Sequence, residues 1–345
     1  MTMPTPHELA VLVALSMEPL GLKRAALLWR LEGSGVAREA GERALVALAG
    51  RGLVTEQVGV LLPTPEGHAV LREVHAALER SQDVSPSTAG MEECPSVPWL
   101  TQVQTVWVEA LSLNYAVTPH VLKKLLPAPL EPELHRGTAW VQVLMSSLRE
   151  MRPQGLTGLV GFNFYQVSYR AAVRYRNAEG RWRRGGYFVR SETNDPLMRR
   201  IGNTLIEFKF HEFGEADMVM AREDERLTFA VDPGAASPGG RLVGVLDTRP
   251  LPGAPLGSVW PSLESLHEPL VECYDAFGVA DGYVYVLTID RGPWNASFVR
   301  PVELYCEYMQ DGALKGHSRL DSVLHLRDCP YRWRPLRRER IPGSG

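Results

Sequence analysis

The hydrophobic period of this chain changes once, near residue 100, and that change divides it into a helical segment and a strand-rich one. Residues 7–17 are almost wholly apolar and read as a buried helix. A second helix covers Leu22 to Leu31 and ends at the Gly33-Ser34-Gly35 breaker. A third runs from about Ala37 to Ala49, with Ala44, Leu45 and Leu48 on one face, and closes at Gly50-Arg51-Gly52. Leu53–Thr55 and Val58–Leu62 look like two short paired strands. Thr64-Pro65-Glu66-Gly67 opens a last helix, with Thr64 as N-cap and Pro65 at the first helical position. The stretch SQDVSPSTAGMEECPSVP is rich in Ser, Pro and acidic residues and reads as a linker.

Beyond the linker, Val103, Thr105, Trp107 and Glu109 alternate with small or polar neighbours, and Thr138–Met145 is a second strand. Phe162–Arg176 and Arg181–Arg190 flank Asn177-Ala178-Glu179-Gly180, a hairpin turn. Asp195–Leu205 reads as a helix capped by Asn194 or Asp195, with Pro196 at its start. Strands follow near Ile206–Phe213, Met218–Ala221, Leu227–Val231 and Leu242–Thr248. A helix at Leu263–Phe277, strands at Tyr283–Asp290 and Val299–Tyr308, and a basic tail complete the chain. Many antiparallel strands with few helices predict an α+β fold built on a curved sheet or partly open β-barrel. The expected domains are 1–83 (helical), 84–100 (linker), 101–326 (barrel) and 327–345 (tail).

Several function classes drop out on composition. At 345 residues the chain exceeds one ordinary core, and 45% hydrophobic with 22% charged residues is wrong for disorder. No apolar run approaches ~20 residues, so no membrane span is expected. No basic segment precedes the apolar start, so a signal peptide is not expected and a cytoplasmic location is. The net charge of -3 gives no global basic field for nucleic acid. The four cysteines, Cys94, Cys273, Cys306 and Cys329, are scattered without C-x-x-C spacing and read as buried or idle thiols. No H-x-H or H-E-x-x-H pattern occurs, so no metal and no cofactor are expected. The Gly-rich stretch Gly234–Gly244 contains Pro238 and lacks a Lys-Ser/Thr partner, so it reads as a loop rather than a phosphate cradle.

Three helices, a small hairpin and a capping helix in this order resemble a winged helix-turn-helix. GRGLV followed by LLPTPEGHAVL is similar to the second half of multiple-antibiotic-resistance-type bacterial regulators, over residues 7–80. The resemblance implies DNA binding through the third helix, where Arg38 and Arg43 are the candidate major-groove contacts. Residues 1–83 carry eight basic and ten acidic side chains, a formal charge of about -2, and the wing tip Glu56-Gln57 has no cation for phosphate. Dimerisation, or packing on the barrel, is therefore the other reading of this segment. The tail places five arginines among Tyr331 and Trp333, which suits phosphate and base contacts and equally a solvated or surface-packed tail.

In the second segment, YAVTPHVLKKLLPAPLEPELHRGTAWVQV, FYQVSYRAAVRY, and SLESLHEPLVECYDAF leading to DRGPWN together resemble the domain-of-unknown-function 2071 family, within the acetoacetate-decarboxylase-like superfamily. The likeness covers roughly residues 100–310. It implies a cone-shaped, partly open antiparallel barrel with a pocket inside. In the decarboxylases a lysine of depressed pKa there forms a Schiff base, and it needs a Gly-x-Pro-Lys-Lys context. The corresponding stretch here, IGNTLIEFKFHEF, has one lysine, Lys209, and the pair Lys123-Lys124 precedes the barrel. Schiff-base decarboxylation is therefore not expected. Where relatives read Glu-Leu-Asn-Val-Arg this chain has Gln166-Val167-Ser168-Tyr169-Arg170, and Gln166 cannot titrate. Glu-Arg-Tyr becomes Glu272-Cys273-Tyr274, and the His-His-x-Pro-Trp turn becomes Asp290-Arg291-Gly292-Pro293-Trp294.

Period-two alternation puts Gln166, Ser168, Arg170, Ala172 and Arg174 on one face. That polar face lines a pocket, with Arg170 holding a carboxylate or phosphate, or it meets solvent. The candidate ligand-binding set is Gln166, Ser168, Arg170, Lys209, Glu272, Tyr274, Arg291 and Trp294. Two functions remain open. One is a ligand-responsive regulator, with a barrel that binds an anionic or polar small molecule and a winged helix that binds DNA. The other is an enzyme acting on a small organic acid without a Schiff-base lysine, its winged helix structural. A second copy of the chain is a further candidate partner.

Overall fold

The computed structural model describes residues 4–16, 22–33, 37–71, 91–93, 103–153, 161–200, 203, 212–235, 237–266, 270, 275–291 and 295–341. The chain divides into two compact units: Met1–Ser87 with Pro98–Thr105 and Arg149–Asn163, and Thr88–Val97 with Val106–Leu148 and Phe164–Gly345.

In the first unit, helices α1 (Pro6–Ser16), α2 (Arg24–Gly33) and α3 (Arg38–Gly50) precede the hairpin β1 (Val54–Gln57) and β2 (Val60–Pro63) and a helix α4 at 65–71. Thr5 and Glu8 form a reciprocal capping box: Thr5 N donates to Glu8 Oε2 at 2.7 Å and Glu8 N to Thr5 Oγ1 at 3.3 Å. Leu27, Leu28 and Leu31 of α2 and Ala40, Ala44, Leu45 and Leu48 of α3 are all buried. Val58 and Gly59 both have positive φ, the two-residue turn that fits the twist of paired strands. Thr64 Oγ1 accepts from Gly67 N at 3.1 Å and caps α4. A bridge between Leu22 and Leu61 adds a short third strand segment to the hairpin.

The larger sheet holds β3 (Glu92–Glu93), β4 (Val103–Val117), β5 (Glu131–Pro132), β6 (Leu134–His135), β7 (Thr138–Pro153), β8 (Phe162–Arg176), β9 (Trp182–Thr193), β10 (Phe213–Glu215), β14 (Asp275–Ala280), β15 (Tyr283–Arg291), β16 (Ala296–Phe298), β18 (Ser318–Trp333) and β19 (Arg337–Arg340). A separate sheet runs β11 (Asp217–Glu223), β12 (Arg226–Asp232), β13 (Leu242–Asp247) and β17 (Arg300–Cys306) in that order. The path β18-β4-β7-β8-β9-β14-β15 returns to β18, because Ile289, Asp290 and Arg291 pair with Trp333, Arg332 and Tyr331. The larger sheet thus closes on itself, which removes exposed edges along the ring.

Both faces of its central strands are covered. On one face Leu111, Leu113, Val141, Val143, Val167, Tyr169 and Ala171 pack with Leu227, Phe229 and Leu242 of the second sheet. On the other, Ala110, Trp140, Leu144, Ala172, Leu324 and Leu326 pack with Trp260, Leu266 and Leu270. Asp321 pins that covering segment by accepting from Ser258 Oγ at 2.7 Å and Val259 N at 2.8 Å. The short helices α5 (Pro119–Lys123), α6 (Pro196–Arg200), α7 (Leu263–Leu266) and α8 (Glu307–Gln310) connect strands.

Three expectations change. Within the helix expected over Leu263–Phe277, α7 and Leu270 are helical, while Asp275–Ala280 is strand β14, paired antiparallel with β15. The expected tail is the end of β18 followed by β19, which pairs with β15 on one side. On its other side Arg337 and Arg338 pair with Glu93 and Glu92, so two residues of the expected linker are a strand. The strand expected at Ile206–Phe213 lies outside the described residues up to residue 211, and β10 begins at Phe213.

Candidate active site

Arg170 is buried at 6% exposure, and its guanidinium is held by the protein. Nε donates to Gln142 Oε1 at 3.2 Å, and Nη2 donates to the same oxygen and to Leu270 O at 2.7 Å. Gln142 Nε2 in turn donates to Ser112 Oγ (3.1 Å) and Asn114 Oδ1 (2.9 Å), and Asn114 Nδ2 to Ser322 Oγ (3.2 Å). The polar face expected on β8 therefore belongs to a connected network across β18, β4, β7 and β8, which Arg170 links to the Leu270 carbonyl. Gly186 makes room for it: a Cβ there would lie 2.6 Å from Arg170 Cδ.

A cavity of about 730 Å³ opens elsewhere on β9, within the second unit. Its walls among the described residues come from Val189–Glu192, the start of β10, Asp217 and the 232–237 loop, with Arg199 and Asn203 beside them. Three adjustments build it. Asn203 ties down Phe213, donating from Nδ2 to its carbonyl at 2.9 Å and accepting its N–H at 2.8 Å. Arg190 fastens the 237–240 loop by donating to Pro238 O at 2.9 Å and to Ser237 O at 2.8 Å. Gly240 leaves room there, since a Cβ would crowd the Arg190 guanidinium.

Glu192 is the buried acid among the residues that line this cavity. Its side chain is 1% exposed, Oε1 accepts from Arg190 Nε, and Oε2 has no hydrogen-bond partner. Burial pushes the carboxyl up to about 7 even though Arg190 opposes the shift. A carboxyl of that value exists in both protonation states near neutral pH, the condition for general acid–base work. Among the described residues no group of three His, Cys, Asp or Glu side chains is placed to hold a metal ion.

A second charged cluster fastens the two sheets. Glu109 of β4 accepts from Arg222 Nε of β11 at 3.0 Å, and its Oε1 lies 2.8 Å from His325 Nε2 of β18. Burial raises the Glu109 carboxyl, but the bonds from His325 and Arg222 outweigh it and hold it below its ordinary range.

The expected ligand-binding residues fall in different places. Ser168 and Arg170 are buried on the network face. Gln166 is half-buried and pairs with Thr193. Arg291 is half-buried on β15 opposite Tyr331. Lys209, Glu272, Tyr274 and Trp294 lie outside the described residues. Of the expected DNA contacts, Arg38 Nη1 lies 3.6 Å from Glu32 and Arg43 Nη1 lies 3.7 Å from Glu39, so each exposed cation has an acid beside it. Sequence reasoning missed Glu192, Arg190, Gln142 and Asn114. The available signals were an arginine and a glutamate two apart on a strand, and Gly185-Gly186 inside a strand, where glycine marks close approach.

Among solved structures, an acetoacetate decarboxylase from Legionella pneumophila subsp. pneumophila str. Philadelphia 1 is 14% identical, with a TM-score of 0.45 over 75% of this chain and 92% of that one. An acetoacetate decarboxylase-like enzyme from Sphingomonas wittichii RW1 is 12% identical, with a TM-score of 0.46 over 70% and 93%. The enduracididine biosynthesis enzyme MppR complexed with pyruvate is 14% identical, with a TM-score of 0.41 over 73% and 90%. All three scores are below 0.5, and no residue role carries over from them. No curated protein is similar enough to match the chain. The family model described as an uncharacterized conserved protein, DUF2071, matches residues 104–328, well over half the chain, and the chain belongs to that family.

Proposed function

We propose that the second unit binds a small polar organic molecule in the β9 cavity and that Glu192 exchanges a proton with it. The observation that carries this reading is a buried carboxyl with one unpartnered oxygen, on a residue that lines a 730 Å³ cavity. Leaving such an acceptor unpaired costs about 1–3 kcal/mol, and a ligand donor would recover it. The volume lies within the range of small-molecule sites. Saturation-transfer NMR with a panel of small polar metabolites tests it. Binders of the wild type should vanish with Gly214→Leu, whose side chain starts beside Glu192 Cγ. A panel with no binders, or binders indifferent to Gly214→Leu, contradicts the reading.

A second reading couples ligand binding to DNA through the first unit, and the order α1, α2, α3, hairpin, α4 favours it, since a winged helix needs that order. Salt-sensitive binding of the full chain to DNA, lost in an Arg38→Ala/Arg43→Ala double variant, supports it. Unchanged binding in that variant removes α3 from the role.

A further inference from the structure

The cavity also carries a charge argument about what it holds. Its described lining has five carboxylates, Glu192, Glu212, Glu215, Asp217 and Asp232, against two guanidiniums. Both guanidiniums are already matched, Arg190 with Glu192 and Arg199 with Glu215 at 3.3 Å. Among the described residues no cation pairs with the exposed Glu212, Asp217 or Asp232. A cleft lined by surplus charge of one sign concentrates ligands of the other.

We infer that the cavity selects a cationic organic ligand, an amine or guanidinium, whose N–H donates to Glu192 Oε2. The inference rests on the small-molecule reading above and names its ligand class. Two observations meet here: the acidic lining, and the buried Oε2 that lacks a donor. An N–H cation satisfies both, because its bond to a carboxylate is charge-assisted and stronger than a neutral one. A ligand carboxylate would instead face Glu192 and three acids around it. The ligand class expected from Arg170 as an anion anchor thus does not apply to this cavity, since Arg170 is engaged elsewhere with Gln142 and Leu270.

Calorimetric titration of the full chain with agmatine, succinate and xylitol tests this, as these are a dication, a dianion and a neutral compound of similar length. Agmatine should bind at least about tenfold more tightly than either of the others. Glu192→Gln should weaken agmatine by about tenfold or more while xylitol changes little. Asp217→Asn, an exposed substitution that spares folding, should weaken agmatine by a smaller factor of about two to three. Succinate or xylitol binding as tightly as agmatine overturns the charge class and leaves the small-molecule reading standing. No binding of any of the three at tens of millimolar overturns both. Agmatine binding unchanged in Glu192→Gln places the ligand away from Oε2 and overturns the inference alone.

Discussion

Replacing Arg170 with Met keeps the aliphatic stem and removes the guanidinium, which separates a ligand anchor from a structural strut. An anchor in an empty site can be lost without a change in stability. In this structure the guanidinium supplies donors to Gln142 Oε1 and Leu270 O, two acceptors in a water-excluded layer. Each acceptor left unpaired costs about 1–3 kcal/mol, so the loss is about 2–6 kcal/mol. For a domain of this size, 1 kcal/mol moves Tm by about 2–4 °C, so Arg170→Met should melt at least about 4 °C lower. Differential scanning fluorimetry of both proteins at one pH reads this directly. A Tm within a degree of wild type would refute the strut and return Arg170 to the candidate ligand contacts.

Three further predictions follow from the same geometry. Gly186→Ala should destabilise by about 1–3 kcal/mol, because its Cβ meets the Arg170 stem, and most of that cost should vanish in an Arg170→Ala background; equal costs in both backgrounds would show that the stem is not the obstacle. The lowered Glu109 carboxyl contributes stability above its unfolded value that is lost as pH falls through its folded value, so the gap between wild type and Glu109→Gln should close on acidification. Glu192 has the opposite sign: its raised carboxyl favours the native state below its unfolded value, and that advantage is lost as pH rises through about 7. Wild type should therefore lose about 3 kcal/mol relative to Glu192→Gln between acid and mildly alkaline pH, and parallel pH–stability curves would argue against a raised carboxyl.

The hairpin of β8 and β9 was legible because alternation and the Asn177–Gly180 turn agree, and Asn177 Oδ1 accepts from Arg181 N at 2.7 Å to close it. The start of α6 was legible from Asp195, whose Oδ1 accepts from Met198 N at 2.8 Å. Burial of the polar strand face was not. Ser112, Asn114, Gln142 and Ser168 alternate as a solvent-facing set would, and what covers them is set by tertiary contacts such as Leu270, 100 residues from Arg170. In the stretch 263–277 the helical stripe of Leu263, Leu266 and Leu270 was legible, but its end was not, because Asp275–Ala280 pairs as a strand with β15. β19 has no apolar signal in Arg337–Arg340; it forms because β15 offers an edge on one side and Glu92-Glu93 pairs along the other. Glu192 was hidden for a similar reason. Its value depends on burial and on Arg190 being drawn to the 237–240 loop, neither of which a single strand reveals.

The central claim is that Glu192 titrates near neutrality inside a ligand cavity. Arg190 on its own strand favours the ionised form, while the buried Tyr169 of β8 and Tyr308 of α8 lie close enough to feel its charge. Glu212, Asp217 and Asp232 line the same cavity, and burial is the largest cause of the rise. Carboxyl-carbon NMR of glutamate-labelled protein, with Glu192→Gln to assign the resonance, measures the titration directly. The midpoint should lie at about 7 and move lower when agmatine is bound, because a cation favours the ionised form. A midpoint in the ordinary glutamate range near 4.5, indifferent to agmatine, would contradict the claim.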